Sequence, residues 1–294
     1  MGKHNIIFVG VFTDKSTNVS QAEALESLGY NITTYSYRER LERLGNVASR
    51  DTELKDLIKE SKPDLVIFSK CNNMDVSVVT ECNKYSSSCL WYMDPCPGSQ
   101  WNGELLQKVK AATFMCCDKL PAVKLAKQFS KNVFHIIEGF DHTRDFPHEL
   151  DKSIDVSFIG SLYNGRDMQL AQLGDIKHFD NVYGEEHAKI VSKSKINLNF
   201  CTNGCASDRI YKILGAGGFL LTDDWSGREE TFIDGEHLVI FKGLEDLKTK
   251  LNYYLSNPNI CKKIAKNGLL EVQRYSRVKW AESIIETFRL VHAV

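Results

Sequence analysis

Short apolar runs, each the length of a single strand, recur along this chain and limit its possible folds more than any other feature. Residues 6–10 read IIFVG, 65–69 LVIFS, 89–93 CLWYM and 112–116 ATFMC. Each run is too short for a globular helix and apolar almost without interruption. That pattern suits a strand covered on both faces. NITTY at 31–35 adds a more polar strand. Between the strands lie helix-period segments. Residues 19–28 place Ala22, Leu25 and Leu28 on one face, and Gly29 stops the turn. Residues 51–60 form a charged helix. Strands alternating with helices imply parallel βαβ units and a doubly wound sheet.

The polar segment EGFDHTRDFPHELDKSI at 138–154 interrupts this rhythm and marks a domain boundary near residue 147. The rhythm then restarts. Strands are expected at 155–160, 196–200, 218–222 and 237–241, with a helix at 185–194. Closing helices are expected at 244–255, 259–267 and 278–291. The 294 residues, 43% hydrophobic and 26% charged, suffice for two cores of ordinary size. A formal net charge of -1 excludes a dominant surface for nucleic acid or anionic membrane but leaves room for a local basic groove. The 9 cysteines are odd in number and irregularly spaced. Cys201 and Cys205 lack a matching His pair, so free buried thiols in a reducing cytoplasm are expected rather than a metal site. MGKHNIIFVGVF leads into a polar loop rather than a cleavage site. It also lacks the Ser or Thr at position six that favours myristoylation. No run reaches the roughly 18 apolar residues of a membrane span.

Ligands of open α/β sheets bind beyond the carboxyl ends of the strands. The loop after Gly10, VFTDKSTNVSQ, has no dinucleotide fingerprint. Its Asp14, Ser16, Thr17 and Asn18 suit hydroxyl binding or, better, helix capping. Lys70 opens the loop after 65–69. Asp94 precedes Pro95 and Pro97 in a stiff loop, as a general base, a ligand for sugar hydroxyls or a turn acid. GSLYNGR at 160–166 offers small residues for backbone approach to an anion, with Arg166 as a fixed charge. SDRIYKILGAGGFLLTDD at 207–224 places Arg209 and Lys212 on the first turns of a helix capped by Ser207. Cations there oppose the helix dipole unless an anion is bound.

In order along the chain, IIEGFDHTRDFP, DVSFIGSLYNGR, YGEEHAKIVSKSKINLNF, SDRIYKILGAGGFLLTDD and the closing segment from FIDGEHLVIF onward resemble the donor domain of GT-B glycosyltransferases, especially the spore-coat and phage-type, family 1-like group. The resemblance covers roughly residues 136–280. It implies two Rossmann-like domains facing a cleft: 1–147 for the acceptor, 148–277 for the nucleotide sugar, and 278–294 as a helix returning to the first domain. It implies a cytoplasmic, metal-independent transferase with no cofactor, moving a sugar from a nucleoside-diphosphate donor such as a UDP-sugar. The acceptor, held between the domains, is left open among glycan, protein and modified nucleic acid. Gly160, Ser161, Asn164, Arg166, Arg209, Lys212 and Gly217 would bind the donor; Asp14, Lys70 and Asp94 would bind the acceptor; Asp94 and Arg209 would be catalytic. Many relatives carry a ribose-binding Glu where this chain has Lys212, which moves that role to Glu229 or Glu230. The same motifs also allow a non-catalytic nucleotide-sugar-binding protein or a phage-type enzyme acting on modified DNA bases.

Overall fold

A computed structural model describes residues 4–292. Residues 1–3 and 293–294 lie outside the described residues. The chain forms two compact units, Met1–Glu138 with Arg277–Val294, and Gly139–Ser276.

Unit 1 contains β1 (Asn5–Gly10), α1 (Thr17–Ser27), β2 (Asn31–Ser36), α2 (Tyr37–Leu44), α3 (Val47–Ser61), β3 (Leu65–Ser69), α4 (Val76–Cys82), β4 (Ser87–Tyr92), α5 (Gly103–Ala111), β5 (Phe114–Cys117), α6 (Leu120–Ala126) and β6 (Val133–His135). The sheet is parallel throughout, in the order β2-β1-β3-β4-β5-β6. The runs IIFVG, LVIFS and FMCC are buried at every position, because helices cover both faces. Ser16 and Asn46 cap α1 and α3 through their side chains. The Ser16 cap is the helix-capping role expected of the 14–18 loop.

Unit 2 contains β7 (Ile154–Ile159), α7 (Arg166–Ala171), β8 (Lys177–Phe179), α8 (Gly184–Lys193), β9 (Ser194–Asn199), α9 (Asp208–Gly215), β10 (Leu220–Thr222), a 3-10 turn (Arg228–Glu230), β11 (Val239–Ile240), α10 (Gly243–Ser256) and α11 (Pro258–Val272). Its parallel sheet runs β11-β10-β9-β7-β8. Counted from its own first strand this is the order 2-1-3-4-5, which the first five strands of unit 1 share.

The last helix, α12 (Arg277–His292), belongs to unit 1. Its Trp280, Ala281, Ile284, Ile285 and Phe288 recur at helical spacing and are buried. Trp280 meets Trp91 edge-on at 5.5 Å and Phe8 at 6.2 Å. Arg277, buried beside Glu138, fixes the start of the helix to the end of the first segment.

The boundary falls earlier than the polar text suggests. Residues 139–147 pack within unit 2. The Phe140 N–H bonds Tyr275 O at 3.0 Å, and Gly139, at φ 73°, lets that carbonyl approach closer than any side chain would permit. The segment is polar because its acids bind its own backbone. Asp145 Oδ2 accepts from the Asp141 N–H, and Asp141 Oδ1 accepts from Thr143. No helix among the described residues is long and apolar enough to cross a membrane.

Candidate functional site

In each sheet the order of connections reverses at one point. This lies between β1 and β3 in unit 1 and between β7 and β9 in unit 2. The loops leaving the two strands there diverge to opposite faces and open a crevice at the carboxyl ends.

In unit 2 the crevice is lined by two arginines with different roles. Arg166, the first residue of α7, is 3% exposed. It donates to Phe200 O at 2.7 Å, Thr202 Oγ1 at 3.2 Å and Ser161 O at 3.3 Å, under the Tyr163 ring at 4.1 Å. It therefore ties the β7 loop to the β9 loop. Both of its terminal nitrogens are engaged by backbone and hydroxyl oxygens.

Arg209 lies on the first turn of α9. Ile210, Tyr211, Ile213 and Leu214 bury the opposite face of that helix, leaving Asp208, Arg209 and Lys212 toward the crevice side. Arg209 is half-buried, donates from Nη1 to Asn199 Oδ1 at 2.9 Å and lies 5.2 Å from the Phe158 ring. It forms no ion pair among the described residues. Burial pulls its pKa below the usual arginine value; Asp208 works against that shift and Arg166 adds to it. Gly160, at φ 145°, is the floor: any side chain there would collide with the Arg209 guanidinium.

Lys212 differs from the sequence expectation. Its Nζ pairs with Asp208 Oδ2 at 2.6 Å, one turn back, so its charge is compensated within the helix. Ser207 is the N-cap residue, but its hydroxyl donates to Asn199 Oδ1 at 2.8 Å instead of capping the first turn.

Gly217 lies at the opposite end of α9 from Arg209. With φ 70°, it forms the left-handed residue of a Schellman cap: Gly217 N–H bonds Leu214 O and Gly218 N–H bonds Ile213 O. Gly215 and Gly218 make room for Phe140, Val191 and Asn197. The glycine cluster ends the helix and admits close packing. Asn164, left-handed and exposed, and Ser161, exposed and bonded to Asp180 at 3.0 Å, stand at the mouth of the β7 loop. Glu229 and Glu230 are exposed on the 3-10 turn after β10.

In unit 1, Lys70 at the end of β3, beside the reversal point, forms an ion pair with Asp94, just after β4. Lys70 and Cys71 both adopt positive φ, 60° and 51°, a costly conformation away from glycine. Two buried cations hold it. Lys108 Nζ donates to Cys71 O at 2.8 Å and Asn72 O at 3.3 Å; Arg50 donates to Asn73 O at 2.8 Å and pairs with Asp51. Asp14 is exposed in the β1 loop. Among the described residues, no three His, Cys, Asp or Glu are grouped to hold a metal ion.

The residue missed from sequence is Asn199, fully buried at the end of β9. Its signal was present: INLNF carries two asparagines inside a strand otherwise apolar, and a buried strand keeps polar side chains only where they have partners.

The family model described as glycosyl transferase-like matches residues 143–286. Among solved structures, Anabaena HepE in complex with UDP and glucose is 12% identical, over 97% of this chain and 99% of that one, with a TM-score of 0.72. Sucrose-phosphate synthase from Thermosynechococcus elongatus is 13% identical over 99% and 100%, at 0.71. A glycosyltransferase from Rickettsia africae is 13% identical over 99% of each chain, at 0.69. At these identities the likeness is one of fold, the two-domain GT-B architecture. A comparison with curated proteins finds no match.

Proposed function

We propose that this chain, built on the GT-B fold with a glycosyl transferase-like segment, transfers a sugar from a UDP-type donor to an acceptor hydroxyl. The observation that carries the reading is Arg209. A guanidinium with only a neutral acceptor sits against Gly160, where the sheet order of unit 2 reverses. As the bond from the sugar's anomeric carbon to the diphosphate breaks, negative charge grows on the departing phosphate. A cation already in place stabilises that charge without reorganising. UDP is the nucleotide favoured because HepE was solved with it.

Arg166 fixes the loops around the anion, and Glu229 or Glu230 is the acid available to the ribose. In unit 1 the Lys70–Asp94 pair suits an acceptor hydroxyl, with both a donor and an acceptor of hydrogen bonds. The new bond joins the acceptor oxygen to the anomeric carbon, and the hydroxyl proton passes to Asp94. An inverted anomeric centre in the product, read by proton NMR, is the outcome that requires such a base. The leaving charge is carried by Arg209 rather than a metal.

The test is release of UDP from a panel of UDP-sugars with EDTA present. Wild type is expected to release UDP, and Arg209→Ala to do so about 10²–10³ times more slowly at an unchanged melting temperature. Equal turnover by the variant would remove Arg209 from the mechanism. Tight donor binding without any release would instead make the protein a binder.

A further inference from the structure

The orientation of the Asn199 amide is fixed at both ends. Thr222 Oγ1 donates to Asp223 O at 3.1 Å, so it meets Asn199 Nδ2, at 2.9 Å, as an acceptor. The amide NH2 must therefore face Thr222, which turns Oδ1 toward α9. There it accepts from Arg209 Nη1 at 2.9 Å and from Ser207 Oγ at 2.8 Å. All of these partners lie in unit 2, at the ends of β9 and β10 and the start of α9.

We propose that Asn199 is a positioning residue for the diphosphate: it aims the Arg209 guanidinium through a neutral oxygen and so leaves its charge available to an anion. A carboxylate in the same place would hold the guanidinium more tightly, as a charge-assisted pair, and would compete with the phosphate for it. Asn199 also draws the Ser207 hydroxyl away from the first turn of α9, the end of the helix that favours anions. The inference rests on the reading of Arg209 as the diphosphate anchor, and it adds the requirement for an amide, rather than an acid, at the end of β9.

Calorimetric titration with UDP tests it in five proteins: wild type, Asn199→Asp, Thr222→Val, Arg209→Ala, and Asn199→Asp combined with Arg209→Ala. Asn199→Asp is expected to weaken UDP about 10- to 100-fold, the range of one hydrogen bond to a charged group. In the Arg209→Ala background the same change is expected to alter affinity less than about twofold, since no guanidinium remains to be neutralised. A purely structural role would weaken both backgrounds alike. Thr222→Val keeps the amide but removes the acceptor that orients it, and a loss of a few-fold is expected. It decides the matter if Asn199→Asp does not fold. Wild-type UDP affinity in Asn199→Asp, an equal loss in both backgrounds, or wild-type affinity in Thr222→Val when Asn199→Asp does not fold would each overturn the proposal. Unchanged affinity in Arg209→Ala alone would overturn the donor-site reading beneath it.

Discussion

In unit 1 the buried cations near the sheet's reversal point turn inward. Lys108 and Arg50 are 1% and 0% exposed and donate into the carbonyls of residues 71–73. What they present outward is a compensated pair, Lys70 with Asp94. In unit 2 one arginine, Arg166, plays the inward part, while Arg209 stays only partly buried, with a neutral acceptor as its hydrogen-bond partner. The two sheets share a strand order, so the difference lies in how each crevice handles charge. A compensated Lys–Asp pair has little net attraction for an anion but offers directional hydrogen bonds to hydroxyls. An uncompensated guanidinium attracts an anion and gives little discrimination among hydroxyls. Charge balance, rather than topology, separates the two crevices.

The strongest way to break the comparison is Lys108→Met. The change keeps an unbranched chain, one atom shorter, but leaves the Cys71 and Asn72 carbonyls without their buried donor, and Glu104 without its partner. A loss of about 2–4 kcal/mol is expected, from unsatisfied buried acceptors and from release of the strained 70–71 backbone. Urea denaturation followed by the fluorescence of Trp91 and Trp280, both in the unit 1 core, measures it. A loss below about 0.5 kcal/mol would mean that the loop holds itself and that Lys108 is incidental.

Unit 2 makes the opposite use of a buried base. His187 is 4% exposed, and neither ring nitrogen has a hydrogen-bond partner among the described residues. Burial first, then Lys212 and Arg209, push its pKa from 6.5 down to about 3. The unfolded chain therefore takes up a proton below pH 6.5, while the folded chain does not until about pH 3. Stability must fall as pH drops through that window, by up to about 1.4 kcal/mol per unit, or about 2 kcal/mol at pH 5. His187→Leu should flatten this contribution. Comparing unfolding at pH 7 and pH 5 in both proteins checks it, and an identical pH slope in the variant would remove His187 as the cause.

Much of the fold was legible because strands buried on both faces leave continuous apolar runs. The elements that escaped lack that signature. Helix α2, YRERLERL, is short, has only Tyr37, Leu41 and Leu44 as apolar residues and ends on Gly45 in the left-handed conformation; β6 and β8 are edge strands of three residues. At the site, sequence located both cation-bearing loops but could not rank their arginines. Arg166 is engaged by a carbonyl 34 residues away, at Phe200, a partner no local window contains. The capping bonds of Gly217 are likewise invisible to a local reading of the sequence. A glycine that ends a helix and one that admits a ligand look alike until the hydrogen bonds of the cap are seen.

The smallest expected effect is at Lys212, and it sharpens the division between the two arginine roles. Lys212→Glu replaces an ion pair with Asp208 by two acids one turn apart, which costs less than about 1 kcal/mol of stability at a partly exposed site. Its effect on UDP affinity carries the information. The pairing with Asp208 already withdraws the Lys212 charge from the crevice, so converting it to Glu should weaken UDP only a few-fold, far less than Arg209→Ala. A gain in affinity would mean that an acid at this position reaches the ribose and that Glu229 and Glu230 do not. A loss as large as that of Arg209→Ala would mean that Lys212 leaves Asp208 when the nucleotide arrives. The anion would then be held by two cations of α9, and the contrast with the compensated pair in unit 1 would widen.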